Sequence, residues 1–376
     1  MSEGHFKLSY SPALNGLRGI AILMVMSFHA RLLKGGFIGV DIFFVLSGFL
    51  ITSLLVSEFD QYGAVSLSNF YMRRVLRLGP ALIALLIVFC VVSFALLDVE
   101  KASSNYIDAL ISLFYLSNWA RAFSIHPPDF LGHTWSLSIE EQFYIFWPII
   151  LLTLLRVCNK RYQVVVFTVA IVLLSWILRI YLLSNGATPD RLYNGLDTRA
   201  DALMVGCTLG VTMSFWSIRA SARNIFSKLL VIIALVSMAC LLAFLMFGKC
   251  LAPWMLQYGY LVTELLAAIL VIDVLISPQS VIRKLLTMRW LVWVGSISYG
   301  LYLWHFPVYK TMGWLGFDWL PIRIFGTLVT FFIAILSYYV MEKPILRLKK
   351  RFTRTIPNNS IQPIAAPLNS VEAVNK

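Results

Sequence analysis

Apolar residues gather along the chain in runs of about twenty, divided by short polar stretches, and the length of those runs is the first signal. At 1.5 Å per residue, such a run crosses the roughly 30 Å hydrocarbon core of a bilayer as a helix. Ten spans are expected, near residues 14–33, 36–56, 78–97, 134–155, 163–183, 199–216, 229–247, 257–276, 291–311 and 321–341. The longest stretch between spans, 98–133, holds a shorter apolar-aromatic segment at 107–123 that is expected to lie at the interface or re-enter the bundle. The predicted fold class is therefore all-α, a polytopic transmembrane helix bundle. Residues 1–354 read as one transmembrane domain without an internal repeat, and 355–376, rich in Pro, Asn, Ser and Ala, read as a disordered tail.

Charge fixes the expected orientation. An even number of spans puts both termini on one side. Arg73, Arg74 and Arg77, then Arg156, Lys160 and Arg161, then Arg219, Arg223 and Lys228, then Arg283, Lys284 and Arg289, and six residues from Lys343 to Arg354 all fall on that side. The alternate loops hold few cations, so both termini are expected in the cytoplasm. Composition agrees with a membrane protein: 376 residues are 59% hydrophobic and 13% charged, and mean hydropathy is +0.80. The net charge of +13 sits in these loop clusters, which argues against nucleic-acid binding. Five scattered cysteines form neither a disulfide framework nor a zinc motif. The first run lacks a small-residue cleavage site, so it is not a removable signal peptide.

Polar residues inside apolar runs carry the candidate chemistry, because a charge facing lipid is costly and such groups line protein-internal cavities. The first span holds Arg18 and His29, eleven residues apart. Three helical turns separate them by roughly 16 Å on one face. Asp41 opens the second span, Arg74 and Arg77 share a face before the third, and Glu140 and Tyr144 share one in the fourth. Arg199 and Asp201 stand at the mouth of the sixth, Glu264 and Asp273 lie in the eighth, and His305 lies in the ninth just before Pro307. Gly35, Gly36, Gly39, Ser47 and Gly48 would let another helix approach the second span closely. His126, Asp129 and His133 share one Pro-containing loop, where no metal site is expected.

The order Arg18-x10-His29, GFIGVDIFFVLSGFLI (36–51), FYMRRVLRLGPAL (70–82), TWSLSIEEQFYIFWP (134–148), RADALMVG (199–206), SISYGLYLWHFPV (296–308) and MEKP (341–344) resembles the acyltransferase-3 family of integral membrane acyltransferases. The resemblance runs from Leu14 to about Arg351. It implies an enzyme of the bacterial inner membrane that moves an acyl group, usually acetyl, from cytoplasmic acyl-CoA to an extracytoplasmic carbohydrate or glycolipid hydroxyl. Acetyl-CoA would be donor substrate, with no bound cofactor. Some members add a further span and a serine-hydrolase-like domain. This chain is similar to stand-alone members, which either finish the transfer or pass the acyl group to an acyl-carrying partner protein outside.

Acyl transfer to a hydroxyl needs a base or nucleophile, an electrostatic partner for the developing oxyanion, and a dry pocket. His29, whose family counterpart is held to be essential, would act as base or be acylated for a moment. Arg18, Arg74 and Arg77 would hold the CoA end, since guanidinium forks suit phosphates and carbonyls. Glu140 would shape the acceptor side or pair with Arg199. Asp41 would fix the tautomer of His29 or cap the second helix. The alternative class is a secondary transporter or flippase, whose intramembrane charges would bind substrate or relay protons.

Overall fold

The computed structural model describes residues 11–215 and 220–352. The tail expected at 355–376 lies outside the described residues. All regular structure among them is helical. The helices are α1 (Pro12–His29), α2 (Gly39–Tyr62), α3 (Leu67–Leu96), α4 (Val99–Leu113), α5 (Ser117–Ala122), α6 (Thr134–Val157), α7 (Arg161–Ser184), α8 (Pro189–Asn194) and α9 (Leu196–Phe215). They continue as α10 (Ala220–Phe247), α11 (Tyr260–Ile276), α12 (Val281–Leu286), α13 (Arg289–Ser296), α14 (Ser298–Trp314), α15 (Trp319–Pro321), α16 (Thr327–Leu336) and α17 (Lys343–Leu348).

Each expected span falls on a helix. By length and composition, 7 helices are able to cross a membrane: those covering Gly36–Tyr62, Leu67–Leu96, Thr134–Val157, Arg161–Ser184, Phe226–Phe247, Met255–Ile276 and Trp319–Leu348. The other three expected spans, α1, α9 and α14, are shorter or more polar. Arg18 and His29, Arg199 and Asp201, and Tyr302 and His305 account for that polarity, so the helices that look least like lipid-facing spans are those that build the interior sites. Residues 107–123 do not form a span. They divide between α4 and α5, and Arg121 of α5 turns toward α14 and α6.

Helix α2 is the axis of the bundle, and α9 runs parallel against it. Gly48 and Gly206 permit this approach: a Cβ on Gly48 would collide with the Leu203 carbonyl, and one on Gly206 with the Val45 carbonyl. Seven residues back along each helix, the same register joins Asp41 to Arg199. Trp147 of α6 donates its indole N–H to Thr52 of α2 at 2.8 Å, so a buried polar atom finds its partner across the interface.

Helix α1 starts on Pro12, whose fixed φ suits a first helical position. At its other end the guanidinium of Arg323 donates to the Ala30 carbonyl at 3.1 Å and the Arg31 carbonyl at 2.9 Å. A cation on otherwise unpaired terminal carbonyls holds that end in place, and with it His29.

Candidate active site

Two cavities open along α1, one at Arg18 and one at His29. The first, about 220 Å³, is lined by Arg18, Ser47, Arg74, Arg77, Glu140 and Tyr144, with apolar walls from α2. Five helices line it, α1, α2, α3, α6 and α14, and the helical repeat puts Arg74 with Arg77 on one face of α3, and Glu140 with Tyr144 on one face of α6. Glu140 accepts the Ser47 hydroxyl at 2.6 Å. Arg74 lies over the Tyr144 ring, 5.0 Å from its centroid. Neither Arg18, Arg74 nor Arg77 makes an ion pair among the described residues, so three guanidinium groups share the space with one carboxylate.

The second cavity, about 140 Å³, is lined by His29, Phe28, Arg121, His133, Tyr193 and Phe306, among others. Val40 and Tyr302 line both cavities. Tyr302 is fixed there: its hydroxyl donates to the His133 carbonyl at 2.8 Å and accepts from Ser136 at 2.5 Å. Arg18 and His29 therefore share a helix and a face, yet serve different chambers.

Backbone carbonyls set the protonation pattern of the second chamber. His305 Nδ1 lies 2.7 Å from the Tyr302 carbonyl and 3.1 Å from that of Leu301. A carbonyl only accepts, so Nδ1 carries the hydrogen and Nε2 of the neutral ring is an acceptor. That Nε2 sits 3.0 Å from His29 Nδ1. His29 consequently donates from Nδ1, so Nε2 of its neutral ring carries a lone pair, and the ring also hydrogen-bonds the Val25 backbone. An imidazole in that state is equipped to act as base or nucleophile.

Asp41 does not orient His29, contrary to one sequence expectation. It is wholly buried and ion-paired with Arg199, while Arg179 pairs with Asp201 at 2.6 Å. It does not cap α2 either, since no side-chain cap bond forms there. The reason is energetic: Arg199 is itself fully buried, and an unpaired buried guanidinium costs several kcal/mol. Arg199 also lies 4.0 Å from the Tyr260 centroid and 5.4 Å from that of Tyr193. Tyr193 is a wall of the second chamber, so this ionic layer supports the site from behind.

Glu140 belongs with Arg18, Arg74 and Arg77, and neither pairs with Arg199 nor lines the chamber of His29. The histidine chamber also contains residues that sequence reasoning left without a role. His305 was visible only as part of a motif. His133 looked like a loop residue, yet the turn before α6 carries it inward until it is 2% exposed, with its ring 5.2 Å from Phe306 and 5.5 Å from His305. Its loop neighbours diverge: His126 pairs with Asp108 at 2.9 Å and Asp129 with Lys310 at 2.5 Å. Arg121 is the one arginine among the lining residues of this chamber, and its Nε donates to Asn194 at 3.3 Å.

A family model described as an acyltransferase domain matches residues 11–339. The chain belongs to the acyltransferase-3 family. It is 34% identical over 352 residues to the peptidoglycan O-acetyltransferase OatA of Listeria monocytogenes, covering 90% of this chain and 56% of that protein. It is 37% identical over 356 residues to YrhL of Bacillus subtilis, named provisionally as a peptidoglycan O-acetyltransferase, covering 89% of this chain and 55% of that one. A provisionally named O-acetyltransferase of Staphylococcus aureus is 34% identical over 356 residues, covering 90% and 58%. The chain thus spans a little over half the length of the curated relatives it matches. No solved structure matches it.

Proposed function

We propose that this acyltransferase-3 protein is a membrane O-acetyltransferase. It takes acetyl from acetyl-CoA at the arginine cavity, on the cytoplasmic side, and delivers it to a carbohydrate hydroxyl at the histidine chamber, on the outer side. The names of its relatives make a cell-wall glycan the first acceptor to try. The observation that carries this reading is that one helix places a cation in the lining of one cavity and an imidazole in the lining of the next, with Tyr302 and Val40 lining both.

The division of charge supports the assignment of ends. Three guanidinium groups against one carboxylate favour a polyanion, and the phosphates of CoA supply one. The chamber around His29 carries one guanidinium and no carboxylate among its lining residues. Its volume of about 140 Å³ holds an acetyl group and a hydroxyl. His29 Nε2 attacks the thioester carbon, the C–S bond breaks, and CoA leaves as thiolate. The acetyl-imidazolium that results keeps its Nδ1–H on His305. Departure of acetyl to the acceptor returns a neutral ring.

The experiment is release of CoA thiol by purified protein in lipid vesicles supplied with acetyl-CoA and soluble glycan fragments. The intact protein is expected to release CoA and acetylate the glycan, and His29→Ala to do neither while still reaching the membrane. Solute movement without CoA release would instead identify a transporter, and full transfer by His29→Ala would remove His29 from the reaction.

A further inference from the structure

We infer that His133 is a second catalytic histidine: its Nδ1 takes the proton of the acceptor hydroxyl as acetyl leaves His29. The inference rests on the acetyl-transfer reading above and adds a residue to it. It begins with Pro307. Proline has no N–H, so the carbonyl four residues back in α14, that of Leu303, loses its helical hydrogen bond. His133 Nε2 lies 3.1 Å from that carbonyl and donates to it. The imidazole hydrogen is thereby committed to Nε2. His133 Nδ1 is left as a lone pair, fully enclosed and without a hydrogen-bond partner among the described residues.

A buried acceptor without a donor is costly, and it is satisfied when a ligand brings a hydrogen. The same chamber is lined by His29, and Phe306 packs edge-on against one ring and tilted against the other, with centroids 4.9 Å from His29 and 5.2 Å from His133. His29 and His133 therefore line one small space, each with one ring nitrogen that carries no assigned hydrogen. His29 receives the acetyl group in the reading above. The His133 ring is left for the hydroxyl. In the second half of transfer the acceptor oxygen bonds to the acetyl carbon and the O–H proton passes to His133 Nδ1. The C–N bond to His29 breaks, its electron pair returning to Nε2. Loss of the His133 proton to water, balanced by protonation of the CoA thiolate, completes the cycle. Arg121 is the one charged side chain facing this chamber, and no carboxylate lines it to compete for the proton.

The test separates the two halves. Protein in vesicles is given radiolabelled acetyl-CoA, and three quantities are read: the initial burst of CoA thiol, label retained on the protein, and label on a glycan acceptor. In His133→Gln, whose amide can still donate to the Leu303 carbonyl, the burst and the protein label are expected to persist. Transfer to the glycan is expected to fall by about 10²–10⁴-fold, the usual contribution of a general base. Hydroxylamine, which attacks acyl groups without a base, is expected to clear the label at the rate seen in the unaltered protein. A merely structural role would not give that rescue. His133→Asn is the second variant, and in the unaltered protein a solvent deuterium isotope effect is expected on discharge to the glycan and not on discharge to hydroxylamine. Transfer at the unaltered rate by His133→Gln, or loss of the burst together with transfer, would overturn the role of His133. Absence of any burst in the unaltered protein would instead overturn the acetyl-transfer reading beneath it.

Discussion

The two cavities along α1 differ in how they treat charge. In the arginine cavity the cations have no ion-pair partner among the described residues, and Arg74 lies over the rings of Phe70 and Tyr144. In the histidine chamber every ring nitrogen with an assigned hydrogen gives it to a fixed partner, and the lone pairs are what remain. The first arrangement waits for counter-charge and tolerates a mobile ligand. The second holds single atoms in one protonation pattern, which is what bond-making requires. A third region, the Arg199–Asp41 and Arg179–Asp201 layer, pairs each guanidinium with a carboxylate of the protein itself.

Substitutions in the three regions should therefore fail in different ways. The largest effect belongs to the chamber: His29→Gln is expected to lower acetyl transfer by more than about 10⁴-fold with the apparent affinity for acetyl-CoA unchanged, measured by steady-state kinetics in vesicles. A raised KM with kcat retained would move His29 out of the chemistry. Next comes the ion-paired layer, where Asp41→Asn strands Arg199 and is expected to cost about 3–5 kcal/mol, read from thermal unfolding in detergent. If that variant kept full stability but lost activity, Asp41 would belong to the site after all.

Smaller effects are expected in the arginine cavity. Arg74→Ala and Arg77→Ala each remove charge-assisted hydrogen bonds worth about 1.5–3 kcal/mol, so KM for acetyl-CoA should rise by about 10–150-fold with kcat nearly constant. Equal loss of kcat would make these residues part of the chemistry and blur the comparison. The smallest change is Pro307→Ala, which gives Leu303 back a helical donor and competes with His133 for one carbonyl. Stability should rise by about 1 kcal/mol while transfer slows. Unchanged transfer would show that the carbonyl does not set the tautomer of His133.

The class of fold was legible because bilayer thickness sets run length, and nothing in the tertiary structure is needed to see runs of twenty apolar residues. The shared faces of Arg18 with His29, Arg74 with Arg77, and Glu140 with Tyr144 were legible for the same kind of reason: helical geometry is local, and its period is fixed. What stayed hidden were the pairings across helices. Asp41 is adjacent in sequence to the helix of His29, yet the glycine-lined approach of α2 to α9 hands it to Arg199. His133 reads as a loop residue until the turn before α6 carries it inward onto a carbonyl that Pro307 has freed in another helix. Local period and hydrophobic length are properties of the chain alone. Which buried polar group meets which is decided by how the helices pack together, and only the folded bundle states that solution.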